Sequence, residues 1–358
     1  MLKFAIIGAG AGGQSMAAIL TDKGYNVRLY DIDREKIHRL QKLDAIKVTG
    51  VIQCEAKPAV ITDSIEEVMT DVDVVMIVST TDAHGSIAAQ IKPYLKDGQI
   101  VMLNPGHCGG ALEIAHVLCG ENGCGKDLII AEAGDLMYGC RSYEIGNILH
   151  TGLKVHVPVA TLPAGDVTKL LEVLGPIFPC LKPAANVLET GFEGAGAMLH
   201  PIPSLMNVNK MDLGESYDYY MEGITPHIAD IISACDKERV AVCRALGVDA
   251  LDLISMLTKT YKLEKKDNLY DLIQSIESYK ALRNPTNTKH RFIVEDTMSG
   301  LVPLASVGRS LGIATPMMDS FINIASAVCG RDFWTEGRTA EKLGLAGKTA
   351  AEIQDMVR

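Results

Sequence analysis

The sequence predicts an α/β chain of two domains, an N-terminal doubly wound parallel sheet followed by a mainly α-helical C-terminal domain. Three observations lead there. The first half alternates short β-branched or apolar runs with amphipathic stretches, the rhythm of βαβ units. From about residue 185 the strand-like runs stop and helix-like spacing takes over. At 358 residues the chain is long enough for two domains, each burying its own core.

Taken in order, "KFAII" (3–7), "NVRLY" (26–30), "VDVVMIV" (72–78), "QIVMLN" (99–104) and "DLIIAEA" (127–133) read as buried strands, with helical periodicity between most of them. "LKVHVPVATLP" (153–163) reads as a further strand and residues 165–173 as its last helix. Segments 227–246, 250–262, 266–279 and 314–330 have helix spacing. The boundary is expected near "PAANVLETG" (183–191), dividing 1–184 from 185–358. There are no internal repeats or low-complexity tracts.

Composition narrows the function. The net charge is -10 and no long run of Lys or Arg occurs, which argues against nucleic acid or an anionic membrane as partner. An anionic small substrate must then be held by locally placed arginines. The uncharged stretch "FAIIGAGAGGQSMAAILT" (4–21) is broken by glycines and by Gln14 and Ser15, so it reads as strand and turn rather than signal peptide. No other uncharged segment approaches membrane-spanning length, and a cytoplasmic protein is expected. Nine cysteines, an odd number, do not suggest a disulfide framework. The cluster His107, Cys108, His116, Cys119 and Cys124 contains no C-x-x-C pair, so no metal is expected and the cysteines read as small core residues. A homodimer is the expectation from base rates.

"AIIGAGAGGQSMA" carries Gly8, Gly10 and Gly13 as G-x-G-x-x-G, directly after one predicted strand and opening a helix. Gly8 permits the tight turn, Gly10 lets backbone approach a pyrophosphate, and Gly13 lets the helix pack closely on the strand. The helix start offers N–H groups and a favourable dipole to phosphates. Asp31, closing the second strand, stands where a carboxylate accepts the ribose hydroxyls of NAD. This is the Rossmann arrangement, and NAD is the expected cofactor. NADP stays possible, because Arg34 lies close enough to partner a 2'-phosphate. "STTDAHG" (79–85) and "NPGHCGG" (104–110) follow later strands on the ligand face, so Asn104 is a cofactor candidate and His84 and His107 are acid/base candidates.

A dehydrogenase acting at a carbonyl or imine needs a group that moves a proton as hydride moves, and histidine suits that task. In "AMLHPIPSLMNV" (197–208), His200 stands alone in an apolar run before Pro201 and Pro203. Proline disfavours the α conformation in the residue before it, so His200 is expected at an interruption, with its ring less hidden by helical packing. "HRFIVEDTMSGLVPL" (290–304) supplies Arg291, Glu295 and Asp296. A carboxylate there would fix the imidazole tautomer, and Arg291 would pair with a substrate carboxylate.

"GAMLHPIPSLMN", "YYMEGITP" (219–226), "RFIVEDTMSGLVPL", "EGRTAEKLGL" (336–345), "NPGHCGGALE" and "CRS" (140–142) together resemble the octopine/nopaline (opine) dehydrogenase family, nearly end to end and in order, especially its bacterial members. The resemblance implies a two-domain enzyme that reductively condenses an α-keto acid with the amino group of an amino acid, using NAD(P)H. It implies that His200 is the catalytic histidine, Asp296 its dyad partner and Arg291 the arginine of substrate carboxylate binding. Glu132, Arg141 and Asn207 are further substrate candidates. Tyr220, Glu222 and Thr225 recur in the family-like segment, although "YYMEG" reads equally as domain packing. Two alternatives stay open. One is an oxidoreductase like ketopantoate reductase or glycerol-3-phosphate dehydrogenase, expected to use a lysine where this chain has His200. The other is an NAD-binding sensor without turnover, against which His200, Arg291 and Asp296 together weigh.

Overall fold

Among the described residues twelve strands form, all before residue 184: β1 (Lys3–Ile7), β2 (Asn26–Tyr30), β3 (Ile46–Gly50), β4 (Cys54–Ala56), β5 (Val60–Thr62), β6 (Val74–Ile77), β7 (Ile100–Leu103), β8 (Ile129–Ala133), β9 (Tyr138–Glu144), β10 (Asn147–Leu153), β11 (Val157–Leu162) and β12 (Leu181–Pro183). The structure, a computed structural model, describes residues 1–194 and 196–358. It divides into one unit of Met1–Gly191 with Val357–Arg358 and a second of Phe192–Met356.

The main sheet of the first unit has the order β12-β11-β8-β7-β6-β1-β2-β5. Its central strands are apolar on both faces: β6 and β7 are buried at every position, as strands covered by helices on both sides must be. The order reverses between β2 and β6, on either side of β1. That switch point is where an open α/β sheet holds its ligand.

Two sequence expectations are corrected here. The sheet is not wholly parallel, because β8 pairs with β11 antiparallel while the other neighbours run parallel. The chain between them makes strands instead of a crossover helix, so β11 can return alongside β8 in the opposite direction. Those strands belong to a second sheet, of order β4-β3-β10-β9, that the sequence reading did not foresee. Residues 153–163, expected as one strand, are the end of β10 and all of β11.

The Ala11–Asp22 helix joins the two sheets. Gln14 donates through Nε2 to Ala9 O (2.8 Å) and accepts from Gly146 N–H (2.9 Å), so one buried side chain ties the turn after β1 to the entry of β10. Ser15 Oγ hydrogen-bonds His150 Nε2 on β10, and Tyr138 Oη donates to Gly12 O (3.2 Å) while its ring lies 4.6 Å from that of His150. His150 is 1% exposed and its Nδ1 has no partner. Burial lowers its proton affinity below the ordinary histidine value, so it folds neutral.

The second unit is helical. Its longest helix, Pro226–Ala245, opens with proline at its first position, where the missing N–H is no loss. Arg239 in its middle is fully buried. Its guanidinium reaches Asp236 Oδ1 (2.7 Å), Glu193 O (3.2 Å) and Leu251 O (2.6 Å), and Asp236 Oδ2 accepts from Leu253 N–H (2.8 Å). The Leu253–Tyr261, Leu269–Gln274 and Pro316–Cys329 helices lie within the helical segments expected, with shorter ends. Asp252 and Asn268 cap the first two by accepting from Ser255 and Asp271 N–H. Among the described residues no helix is long and apolar enough to cross a membrane.

Two predictions follow from these buried groups. Arg239→Met removes the cation beside buried Asp236 and the donor to the Glu193 and Leu251 carbonyls, and urea unfolding should show a loss of about 3–5 kcal/mol. The unfolded chain protonates His150 near pH 6.5, but the folded chain only at lower pH, so stability is complete above that pH and falls as the solution is acidified. Urea unfolding between pH 7.5 and pH 5 should show this decline, and His150→Gln should make it shallower, the remainder coming in part from His290, whose proton affinity burial also lowers.

Candidate active site

At the switch point the backbone turns sharply from β1 into the Ala11–Asp22 helix. Gly8 has φ +110°, and a Cβ there would lie 2.4 Å from Val78 O at the end of β6. A Cβ on Gly13 would come within 1.7 Å of Gly8 O, so the turn closes only with hydrogen at both positions. Gly10 differs, because nothing lies within 4 Å of where its Cβ would be. It caps the Ala11–Asp22 helix without a side-chain hydrogen bond, and no acidic residue stands in the first turn. An open cradle before uncapped helical N–H groups is the site that a pyrophosphate requires.

Asp31 lies beside this turn, 8% exposed. Its Oδ2 accepts from Ala9 N–H (2.8 Å) and Lys36 Nζ (3.0 Å), and its Oδ1 from Asp33 N–H (2.9 Å). It is therefore held rigidly, with a cation already against it. Arg34 is well exposed, its Nε 3.1 Å from Asp63 Oδ2. The side chain of Asn104, at the end of β7, is buried and donates to Ile77 O and Met102 O, while its Oδ1 has no partner. The residues present fit a bound dinucleotide.

In the second unit, His200 stands between the Gly196–Leu199 and Pro201–Met206 helices. The expected interruption is present, but its character differs. His200 keeps right-handed dihedrals (φ -109°, ψ -62°), its N–H donating to Gly196 O (3.0 Å) and its carbonyl accepting from Ser204 N–H (3.3 Å). The prolines interrupt by removing donors: Pro203 has no N–H for the Leu199 carbonyl. Tyr219, fully buried, brings its hydroxyl to the gap, 3.3 Å from Leu199 O and donating to His200 O at 2.5 Å. Ser204 Oγ donates to the same His200 carbonyl (2.7 Å). Burial pushes the Tyr219 hydroxyl well above its ordinary pKa, so it stays a donor.

The imidazole meets Asp296 across 96 positions of sequence, with Nδ1 to Oδ2 at 3.0 Å. Close backbone approach makes this possible. A Cβ on Gly196 would lie 3.1 Å from Asp296 Oδ1, and a Cβ on Gly300 only 2.7 Å from Ala197 Cβ. Asp296 ends a helical turn, and the next residues, Thr297–Leu301, widen into π-helix, a local irregularity frequent at functional sites. Both side chains of the pair are 18% exposed, screened from bulk water yet reachable. Phe292 stacks on the imidazole with ring centroids 4.0 Å apart and planes 8° from parallel.

Arg291 lies on the same turn. Its carbonyl accepts from Glu295 and Asp296 N–H, and its guanidinium, 62% exposed, stands 3.6 Å from Glu295 Oε2. The R-x-x-x-x-D spacing thus brings a solvent-facing cation and the histidine's carboxylate to one turn. Tyr220, stacked on Tyr279 at 3.9 Å, is near enough for Asp296 and Arg291 to perturb its hydroxyl, which burial drives up.

Other candidates have different surroundings. Glu132, 0% exposed on β8, accepts from Ala111 N–H (2.8 Å) and Thr190 Oγ1 (2.6 Å), tying the start of the Gly110–Cys119 helix to its sheet. Asn207 is buried and donates to Pro203 O and Gly223 O, stitching the turn after the His200 helix. Arg141 is exposed on the edge strand β9. His84 is fully buried, and His107 lies in a loop with φ +46°. Exposed Glu222 accepts from Asp218 N–H (2.6 Å), and Thr225 precedes the Pro226–Ala245 helix. The sequence reading missed Tyr219 and Phe292. The doubled proline signalled carbonyls in need of a donor, but not which residue would supply it.

Residues 183–329 match the family model described as NAD/NADP octopine/nopaline dehydrogenase, alpha-helical domain, and residues 3–105 match the NAD binding domain of 6-phosphogluconate dehydrogenase. An opine dehydrogenase of Arthrobacter sp. (strain 1C) is 35% identical over 355 residues, covering 99% of this chain and 98% of that protein. A tauropine dehydrogenase of Arabella iricolor is 22% identical, covering 96% and 95%. Among solved structures, octopine dehydrogenase with NADH and L-arginine superposes with a TM-score of 0.82 over 99% of this chain and 98% of that one, at 20% identity. Yersinopine dehydrogenase with NADP+ bound does so at 0.76 over 100% and 98%, at 14% identity. The chain belongs to the opine dehydrogenase family of NAD(P)-dependent oxidoreductases.

Proposed function

We propose that the chain condenses an α-keto acid with the amino group of an amino acid and reduces the resulting imine, reversibly, with His200, Asp296 and Arg291 as the catalytic group. The observation that carries this reading is the His200–Asp296 pair beside an exposed arginine. Nδ1 is engaged by Asp296, so the proton is moved at Nε2. Asp296 fixes that tautomer and balances the imidazolium charge. Arg291 pairs with a substrate carboxylate, holding the imine carbon in place, and such positioning carries much of the rate in bond-forming reactions between two substrates.

The turn at Gly8, Gly10 and Gly13 would hold the pyrophosphate and Asp31 the ribose of the dinucleotide, which when bound supplies hydride to the imine carbon. Asp31 favours NADH by repelling a 2'-phosphate, while Lys36 and Arg34 moderate that preference. The mass balance is keto acid, amino acid, reduced cofactor and a proton in, and secondary amine dicarboxylate, oxidised cofactor and water out. A cytoplasmic homodimer is the setting we infer, from the base rate for soluble oligomeric enzymes and the scattered unpaired cysteines.

The reading is tested by following NADH oxidation with α-keto acids and amino acids supplied singly and in pairs. Consumption is expected only with both partners; consumption with a keto acid alone would instead indicate a simple reductase. His200→Asn should lower kcat by about 100-fold or more with NADH affinity unchanged, as removal of a positioned acid does. Gly10→Ala places a Cβ with nothing within 4 Å of it in the free protein, so it should fold normally but weaken NADH binding at least about tenfold, read by NADH fluorescence, because the methyl intrudes into the phosphate cradle.

A further inference from the structure

The hydrogen bond to Asp296 fixes one edge of the His200 ring but not its plane. The torsion between Cβ and an imidazole is broad, so the ring can swing about the Nδ1 contact and carry Nε2 out of line with its acceptor. One residue limits that swing. Phe292 lies flat against the imidazole, at 4.0 Å and 8°. It is itself held from two further sides, by Tyr219 at 5.1 Å and 45° and by His290 edge-on at 4.8 Å and 81°. The Phe292 N–H donates to His290 Nδ1 (3.2 Å), so backbone and ring are fixed together.

We infer that Phe292 is a positioning residue for the reaction, holding the His200 ring in the plane that aims Nε2. The inference rests on the reading that His200 moves the proton. Asp296 Oδ2 meets only the Nδ1 edge of the ring, and the Tyr219 hydroxyl lies at the Leu199 and His200 carbonyls and at Ser204 Oγ, so both leave the plane of the imidazole to the stacked face.

The experiment compares Phe292→Leu with Phe292→Tyr, which retains a stacking face, and with His200→Asn. The readouts are kcat and KM for both substrates in the presence of NADH. Phe292→Leu should lower kcat by about tenfold with both substrate KM values within twofold, since a lost stack misaligns the ring without removing it. Phe292→Tyr should restore kcat. A Phe292→Leu enzyme with kcat within twofold would overturn the role of Phe292 while leaving that of His200 intact, provided His200→Asn is inactive. A Phe292→Tyr enzyme as impaired as Phe292→Leu would overturn it as well. Full turnover by His200→Asn would remove the proton role itself and reduce the stack to packing. Far-UV circular dichroism and NADH binding establish that each variant is folded, and Phe292→Met, which fills the space without a π face, replaces the leucine variant by the same criteria if that variant unfolds.

Discussion

The second unit is organised by the need to bring a carboxylate to His200 from 96 residues away. A hydrogen bond of 3.0 Å tolerates little slack, so the segments bearing it must approach with hydrogen in place of side chains, at Gly196 and Gly300. The prolines around His200 strip donors from the local helix. Pro203 leaves the Leu199 carbonyl without its helical donor, and the Tyr219 hydroxyl lies 3.3 Å from it, while the Tyr219 and Ser204 hydroxyls both donate to the His200 carbonyl. Two hydroxyls thereby hold the backbone of His200, while its ring remains partly open to solvent.

A corresponding economy holds in the first unit, where one helix serves two sheets. The start of Ala11–Asp22 presents bare backbone at Gly10, and its flank carries Gln14 and Ser15 into the second sheet. A displacement of β10 would therefore reach the turn after β1 through the Gln14 and Ser15 contacts. His150, neutral and buried with one nitrogen unpartnered, stands at that junction and makes it sensitive to acid.

Buried polar groups elsewhere carry the architecture. Glu132 replaces an N-cap for the Gly110–Cys119 helix from the neighbouring strand, Asn207 closes a turn through two carbonyls, and Arg239 satisfies a carboxylate and two carbonyls in the middle of a helix. Glu132 and Asn207 were substrate candidates from the sequence, and each, like Arg239, has partners that define a structural task. Exposure separates them from Arg291, whose guanidinium faces solvent with only a loose ion pair at 3.6 Å.

The sequence by itself determined what local rules encode. The apolar runs of β1, β2, β6, β7 and β8 announced buried parallel strands, the glycine spacing announced a tight strand-to-helix turn because Gly8 and Gly13 each answer a distinct steric demand, and the helical half followed from its periodicity. The histidine, arginine and aspartate were legible because HPxP and RxxxxD are short motifs recurring within a longer resemblance. Tertiary structure decided the rest. The strands of the second sheet are short or half exposed, as β9 is after Tyr138, and lack the continuous apolar signal of a covered strand, so only pairing reveals them. The antiparallel return of β11 depends on the path of the intervening chain. The meeting of His200 with Asp296, the stacking of Phe292 and the reach of the Tyr219 hydroxyl are contacts between distant segments. Sequence periodicity reports which face of an element is buried, whereas which groups then touch is set by how the elements pack.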